Sequence, residues 1–309
     1  MPNSVFSFSK LIPGGNPTII LHDPALTDGE LAAVSARLME PLHIGAEQVG
    51  ALFSATAGSS SPPRLRMMGG EFCVNATRAA AMLLAVSGGL TQLPACEEAT
   101  PVWGGELMVS GMDRPVFILV SPDDAALLAA ARACSGPPAP GAPLAAPASG
   151  PLLFCAAQVD CAAPGVRCED ARPGVTLVRM PGMSHLLVDT ASHPLPALSA
   201  WKDGSAHWRE SCGLAEEPAS GVIWFRREGP AFRIWPAVEV KATHSEHLET
   251  ACGSASLALA LNNWRHSPPE PTGIIQPSGE ILRVFPASIP GRAWIAGPVR
   301  LAAQGTAYV

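Results

Sequence analysis

The sequence predicts an α+β protein built as two similar domains, and three observations carry that reading. Two cysteine-led segments of matched pattern, Cys73-Val74-Asn75-Ala76-Thr77 and Cys252-Gly253-Ser254-Ala255-Ser256, each run into an alanine-rich helical stretch. Short apolar, β-branched runs surround each of these stretches, which argues for strands around one long helix and against a doubly wound parallel sheet. An uncharged Pro/Ala/Gly segment, 135–150, lies between the two cysteines and reads as a surface linker. The 309 residues are enough for two hydrophobic cores. The expected domains are 1–134 with Cys73 and 151–295 with Cys252, and 296–309 is a strand expected to return to the first domain.

In chain order, Thr18–Leu21 reads as a short apolar strand, Asp28–Met39 as a helix, and Val49–Phe53 as a strand. The helix that begins near Cys73 continues through Ala79–Val86, and Val116–Val120 is a further strand. Beyond the linker, strands are expected at Leu152–Phe154, Val175–Arg179, Leu186–Val188, Val222–Phe225, Arg233–Ile234 and Val238–Val240, followed by the helix after Cys252. The tail from Ile281 to Val309 alternates apolar and polar residues, with turns expected at Pro290-Gly291 and Gly297-Pro298.

Composition narrows the partners. Hydrophobic residues make up 48% and charged residues 15% of the chain, as in a well-buried globular protein. A net charge of −6 with no basic run argues against nucleic acid and anionic membrane, leaving a small molecule as the expected ligand. No apolar run approaches the ~18 residues of a membrane span. Met1–Lys10 has no basic segment followed by an apolar one, so no secretory signal is read there. The eight cysteines form no Cys-x-x-Cys pair and are expected to be reduced thiols of a cytoplasmic protein. No metal is expected: Cys155, Cys161 and Cys168 match no zinc spacing, and His43, His244 and His247 lack a His-x-x-x-His arrangement.

A cysteine at a helix N-terminus meets unpaired backbone N–H groups and the positive end of the dipole, which lower a thiol pKa and attract anions. Two such thiols with two anion cradles suggest proton transfer to and from opposite faces of a carboxylate-bearing substrate. The remaining cysteines are expected to be small buried hydrophobes.

Four motifs then resemble a known superfamily, the cofactor-independent amino-acid racemases with the diaminopimelate epimerase fold. Phe8-Ser9-Lys10-Leu11-Ile12-Pro13-Gly14-Gly15-Asn16 is similar to its opening strand and Gly-Asn turn, and Cys73-Val74-Asn75-Ala76-Thr77-Arg78 to its first cysteine motif. Glu249-Thr250-Ala251-Cys252-Gly253-Ser254 resembles the second cysteine motif, and Gln276-Pro277-Ser278-Gly279-Glu280 a later turn. The resemblance implies two domains, each a curved mixed sheet around a central helix, with the active site in the cleft between them. It implies no cofactor, Cys73 and Cys252 exchanging roles as thiolate and thiol, and the N–H groups of residues 74–76 and 253–255 holding the substrate carboxylate. Val74, Asn75, Ala76, Gly253 and Ser254 are accordingly candidate substrate-binding residues.

Within the superfamily the closer resemblance is to the histidine racemases of opine metallophore synthesis, carried by Phe8-Ser9-Lys10, Leu38-Met39, His43, Glu47-Gln48-Val49-Gly50 and Gly70-Glu71-Phe72-Cys73. The epimerase segment Gly-Asn-Pro-His is here Gly182-Met183-Ser184-His185. The run that helps hold diaminopimelate is here Thr243-His244-Ser245-Glu246-His247-Leu248-Glu249-Thr250, without its arginine and glycines. The implied reaction is interconversion of L- and D-histidine; the alternative is an epimerase or racemase of another amino acid, diaminopimelate included. Glu47 and Glu249 are read as contacts to a substrate ammonium or imidazole N–H, against a plain capping or solvated acid. Asn16 is read as a substrate-facing amide rather than a turn residue, and Asn75 as cap, substrate contact or both. Arg78 is expected to anchor its helix to a neighbouring acid, and Arg64 and Arg66 to be surface charges. Homodimerisation is left open.

Overall fold

The computed structural model describes residues 4–54, 61–93, 100–139, 148–162, 164–180, 182–241, 245–266 and 268–309. Cys96, His244 and residues 140–147 of the Pro/Ala-rich segment lie outside them. The chain begins with β1 (Val5–Pro13), β2 (Thr18–His22), α1 (Asp28–Met39), β3 (Gln48–Phe53), β4 (Arg64–Met67) and α2 (Val74–Val86). It continues with β5 (Thr91–Gln92), β6 (Trp103–Val109), β7 (Val116–Ser121), α3 (Asp124–Ala133) and β8 (Leu152–Asp160). The second half holds β9 (Arg167–Arg172), β10 (Val175–Met180), β11 (Met183–Asp189), α4 (Trp201–Ser211), β12 (Ala219–Glu228) and β13 (Ala231–Val240). It ends with β14 (Ser245–Leu248), α5 (Gly253–Trp264), β15 (Thr272–Ile275), β16 (Ile281–Pro286) and β17 (Arg292–Tyr308).

The pairing order repeats. Along β1-β2-β3-β4-β6-β7-β8 the neighbours are antiparallel, parallel, antiparallel, parallel, antiparallel and antiparallel. Along β10-β11-β12-β13-β15-β16-β17 the same series recurs. A parallel pair needs a crossover, and each half fills its two crossovers with helices, α1 and α2 in the first and α4 and α5 in the second. The second crossover helix becomes the centre of each half. Residues Val74 to Ala85 of α2 are all buried, and strand residues such as Leu11, Ile20, Leu65, Leu107 and Ile118 close on it. Around α5 the same is done by Val178, Leu187, Ile223, Ile234 and Ile274. Alanines at 79–81 and at 255, 258 and 260 let the sheets wrap closely around helices that are apolar on every side.

α1 forms where the sequence predicts it. Thr27 and Glu30 make a capping box, and Leu31, Val34 and Leu38 supply the buried stripe. Several expectations need correction. The runs Arg233–Ile234 and Val238–Val240 are one strand, β13, with Pro236 opposite Ile223. The Pro236 carbonyl still accepts the Glu249 N–H at 2.9 Å, so the proline interrupts the pattern without ending the strand. No turn occurs at Gly297-Pro298, because β8 pairs with β17 straight through it from Arg292 to Arg300, while on the other side β16 pairs up to Ala296 and β1 takes over at Val299. Pairing on both sides overrides a dipeptide that would otherwise turn. Arg66 is not a surface charge: it pairs with Asp28 at 3.0 Å and stacks over Phe53. Ala148, inside the expected linker, is buried and donates to Ala85 O at 2.9 Å. The helices α3 and α4 escape the sequence reading; α4 has a mostly polar face and is docked by Arg209 on Glu246 at 2.6 Å. Among the described residues no helix is long and apolar enough to cross a membrane.

Leu11, wholly buried on β1 between β2 and β17, packs against α2. Leu11→Ala is expected to cost about 2–5 kcal/mol, read as a lower urea midpoint with an unchanged m-value.

Candidate active site

Cys73 and Cys252 are the N-caps of α2 and α5, both in extended backbone with φ −122° and −132°. The surroundings match residue for residue. Thr77 Oγ1 donates to Cys73 O and Ser256 Oγ to Cys252 O, each at 2.7 Å. The N–H of Ala76 points at Cys73 Sγ from 3.4 Å, and that of Ala255 faces Cys252 Sγ. The two helices meet start to start. A Cβ on Gly253 would fall 2.7 Å from Val74 Cβ, so glycine there permits the approach. Both cysteines, with Val74, Asn75, Gly253 and Ser254, line one cavity of about 50 Å³. Ala76 contributes its N–H rather than a lining side chain.

A hydrogen-bond network ties the seam. The Ala251 carbonyl, immediately before Cys252, accepts from Asn16 Nδ2 at 3.2 Å and Asn75 Nδ2 at 2.8 Å. Asn16 Nδ2 also donates to Glu47 Oε2 at 2.6 Å, while its Oδ1 accepts from Thr18 Oγ1 and Gln48 Nε2. Gln48 Oε1 in turn accepts the Cys73 thiol. Asn16 is therefore wholly buried and fully engaged, and it does not line the cavity as a substrate-facing amide would. Glu47 does line the cavity, yet it also accepts from Thr250 N at 3.1 Å and Thr250 Oγ1 at 2.7 Å, which makes it a strut between the halves. Asn75 is not the cap; Cys73 is. Among the described residues Arg78 has no acid partner; it donates to Asn75 Oδ1 at 2.9 Å. Close approach at Gly15, in the left-handed region at φ 101°, seats Ser278 against the opening turn, where Ser278 Oγ donates to Gly14 O at 2.8 Å.

The electrostatics reverse one expectation. Burial pushes both thiols above their ordinary range, and nearby carboxylates push in the same direction, Glu71 and Glu249 on Cys73 and Glu249 on Cys252. The helix-end N–H groups work against this but do not outweigh desolvation. Burial likewise raises Glu47 and Glu71, and lifts Glu249 to about 8, where it lies against the Cys252 thiol. None of these three carboxyls forms a salt bridge among the described residues.

Several participants were missed from sequence. Glu71 is buried in the cavity wall and accepts the Gly69 N–H at 2.9 Å. Gln276 Oε1 accepts the Cys252 N–H at 2.9 Å and fixes that cap. His185, wholly buried and lowered by desolvation to about 3, contacts Ser254 Oγ at 2.9 Å, which lies 3.4 Å from Cys252 Sγ. His247, read from sequence as a loop or core histidine, is half-buried and lines the cavity. His43 is elsewhere, against Tyr308 O. Glu71, two residues before Cys73, was the one with an accessible sequence signal; the others depend on folding.

The raised Glu249 sets a pH dependence. From its ordinary 4.5 to about 8 the unfolded chain ionises this carboxyl while the folded chain keeps it protonated. Its contribution to stability is therefore full below about 4.5 and lost as the pH rises through about 8. Urea unfolding across this window should show stability falling with pH, and Glu249→Gln should flatten the slope by up to roughly 1.4 kcal/mol per pH unit. Equal slopes would contradict the buried carboxyl.

Comparison with known proteins agrees with this geometry. Residues 5–132 match the family described as the histidine racemase CntK N-terminal domain. A histidine racemase of Fusobacterium nucleatum is 23% identical over 305 residues, covering 99% of this chain and 98% of its own. One from Staphylococcus aureus is 39% identical over 77 residues, 25% of this chain and 28% of its own. Among solved structures, a hydroxyproline epimerase from Agrobacterium vitis aligns with a TM-score of 0.61 at 10% identity, over 100% of this chain and 92% of its own. A PhzF-family protein from Enterococcus faecalis aligns with a TM-score of 0.55 at 14% identity, over 99% and 100%. Residues 5–132 thus match the model of a histidine racemase N-terminal domain, and the whole chain has the α+β fold shared by PhzF-type and epimerase structures.

Proposed function

We propose that this chain is an isomerase that racemises histidine by a two-thiol, cofactor-independent mechanism. The supporting observation is the pair of cysteines capping two helices that abut at one cavity. The substrate carboxylate lies across the first-turn N–H groups of α2 and α5, which stabilise the charge that develops when the α-proton leaves. One cysteine, as thiolate, takes that proton: a C–H bond breaks and an S–H bond forms. The other, as thiol, delivers its own proton to the opposite face and is left as thiolate. Glu249, against the Cys252 thiol, holds its own proton up to about pH 8 and can take the Cys252 proton only once it is ionised, which a bound cationic substrate favours.

The substrate class follows from the charges. Three half-buried carboxyls, Glu47, Glu71 and Glu249, share a cavity whose lining, among the described residues, contains neither lysine nor arginine. An α-ammonium and an imidazole N–H supply the missing donors and offset the negative field that holds both thiols protonated. A substrate with a second carboxylate would set that group against the acids, at a cost of several kcal/mol. The mechanism needs both thiols reduced, which suits the cytoplasmic setting expected from the sequence.

Incubation with L-histidine in D2O should give D-histidine with deuterium at the α-carbon, and diaminopimelate should be turned over far more slowly. Cys73→Ser and Cys252→Ser should each lower the rate by about 100-fold or more while leaving the thermal midpoint within a few degrees. Efficient racemisation by either variant would overturn the two-thiol assignment; preference for diaminopimelate would overturn the substrate.

A further inference from the structure

The cavity that holds both thiols is tight, at about 50 Å³ room for a few waters, so which side chains can enter is set by the part of its lining that can move. A second cavity of about 540 Å³, the size of a ligand pocket, adjoins it. Phe72, Val74, Met183 and Ser254 line both volumes, so these four residues are the wall between them. The two sides differ in chemistry. Glu47, Glu71 and Glu249 lie on the small side, while the large cavity is walled mainly by apolar side chains, Phe117, Val159, Leu257 and Leu261 among them. Of its charged lining residues, Asp113, Arg114 and Asp160 are exposed.

The four wall residues are not equally free. Val74 and Ser254 belong to the first turns of α2 and α5 and are fixed where those helices abut. Phe72 is wedged: a Cβ on Gly111 would stand 2.6 Å from its backbone N, and it packs against the cores of both halves. Met183 opens β11, directly after Gly182 in the left-handed region at φ 77°, and packs against the second core. Its Sδ accepts the Ser254 hydroxyl at 3.3 Å, and the same hydroxyl lies 3.4 Å from Cys252 Sγ. The side chain is thereby laid along the wall beside one of the two thiols. An unbranched thioether with three rotatable bonds fits an irregular gap and can yield without being displaced from it. Its bulk decides how far the small cavity extends towards the large one.

We propose that Met183 is a specificity-determining side chain of the site: with Phe72 it closes the acid-lined cavity against the apolar one, so that a compact side chain carrying hydrogen-bond donors is admitted and a larger apolar one is refused. The kinetic part of the test rests on the histidine racemase reading. It compares kcat/KM for L-histidine and L-tryptophan, each followed by deuterium entry at the α-carbon in D2O. Met183→Ala joins the two cavities and should raise the tryptophan-to-histidine ratio by about 10-fold or more. Met183→Leu keeps the bulk but loses the sulfur acceptor, and should hold that ratio within about 3-fold of the parent's. The accessibility part needs no substrate: mass spectrometry compares labelling of the Cys252 peptide by bulky N-phenylmaleimide with labelling by small iodoacetamide. Met183→Ala should raise this second ratio by about 10-fold or more, and Met183→Leu should leave it near the parent's. Labelling unchanged in folded Met183→Ala, selectivity unchanged where that variant is active, or Ala and Leu variants that behave alike would overturn the proposal. Should Met183→Ala fail to fold, Phe72→Leu thins the same wall from the first half and must raise both ratios; no rise would overturn it equally. Inactivity of the parent protein on L-histidine with the labelling shift intact would refute the substrate alone.

Discussion

The backbone carbonyl of Ala251 accepts two side-chain amides from the opposite half, Asn16 from the opening turn and Asn75 from α2, and the rest of the site depends on that convergence. A carbonyl oxygen has two lone pairs, and buried in a seam it must use them. Satisfying both from the first half fixes where the second half presents Cys252. From there the constraint spreads through Asn16 to Glu47 and Gln48, and through Gln48 to the Cys73 thiol. The two sulfurs are held in relation to one another through the side-chain amides of Asn16, Gln48 and Asn75.

The repeated strand order explains how such a seam arises. Each half sets its second crossover helix at the centre of a mixed sheet and places a cysteine at that helix's start. When the halves pack with those helix starts together, two thiols and two sets of first-turn N–H groups face one volume. The shared strand β17, paired to β8 and β16 and then to β1, makes the two halves parts of one continuous sheet system. Small residues complete the fit: Gly253 accepts the bulk of Val74.

Charge is distributed unevenly across this seam. Among the described residues, Glu47, Glu71 and Glu249 gather at the cavity without a lysine or arginine, and Arg78, buried on α2, pairs with no carboxylate. The cavity therefore favours protonated thiols, and in the proposed mechanism a cationic substrate would tip the balance towards a thiolate. In such an arrangement the substrate itself completes the electrostatics of the catalyst, which links binding to the onset of proton transfer.

Local sequence determined α1, the caps of α2 and α5 and most strand cores. Capping chemistry, 3.6-residue periodicity and β-branched runs act over a few neighbours and can be read there. The matched cysteine segments likewise made the pair of helix-capping thiols legible, and their resemblance to a racemase family made the fold so. What lay beyond the sequence was set by long-range pairing. Gly297-Pro298 runs straight through a strand because neighbours grip it from both sides, and polar α4 is helical because Arg209 finds Glu246. The site followed the same division. Asn16 became a buried strut, Arg78 an unpaired cation, and the thiols were raised rather than lowered, because partners and desolvation are properties of the assembled interior, which no stretch of neighbouring residues encodes.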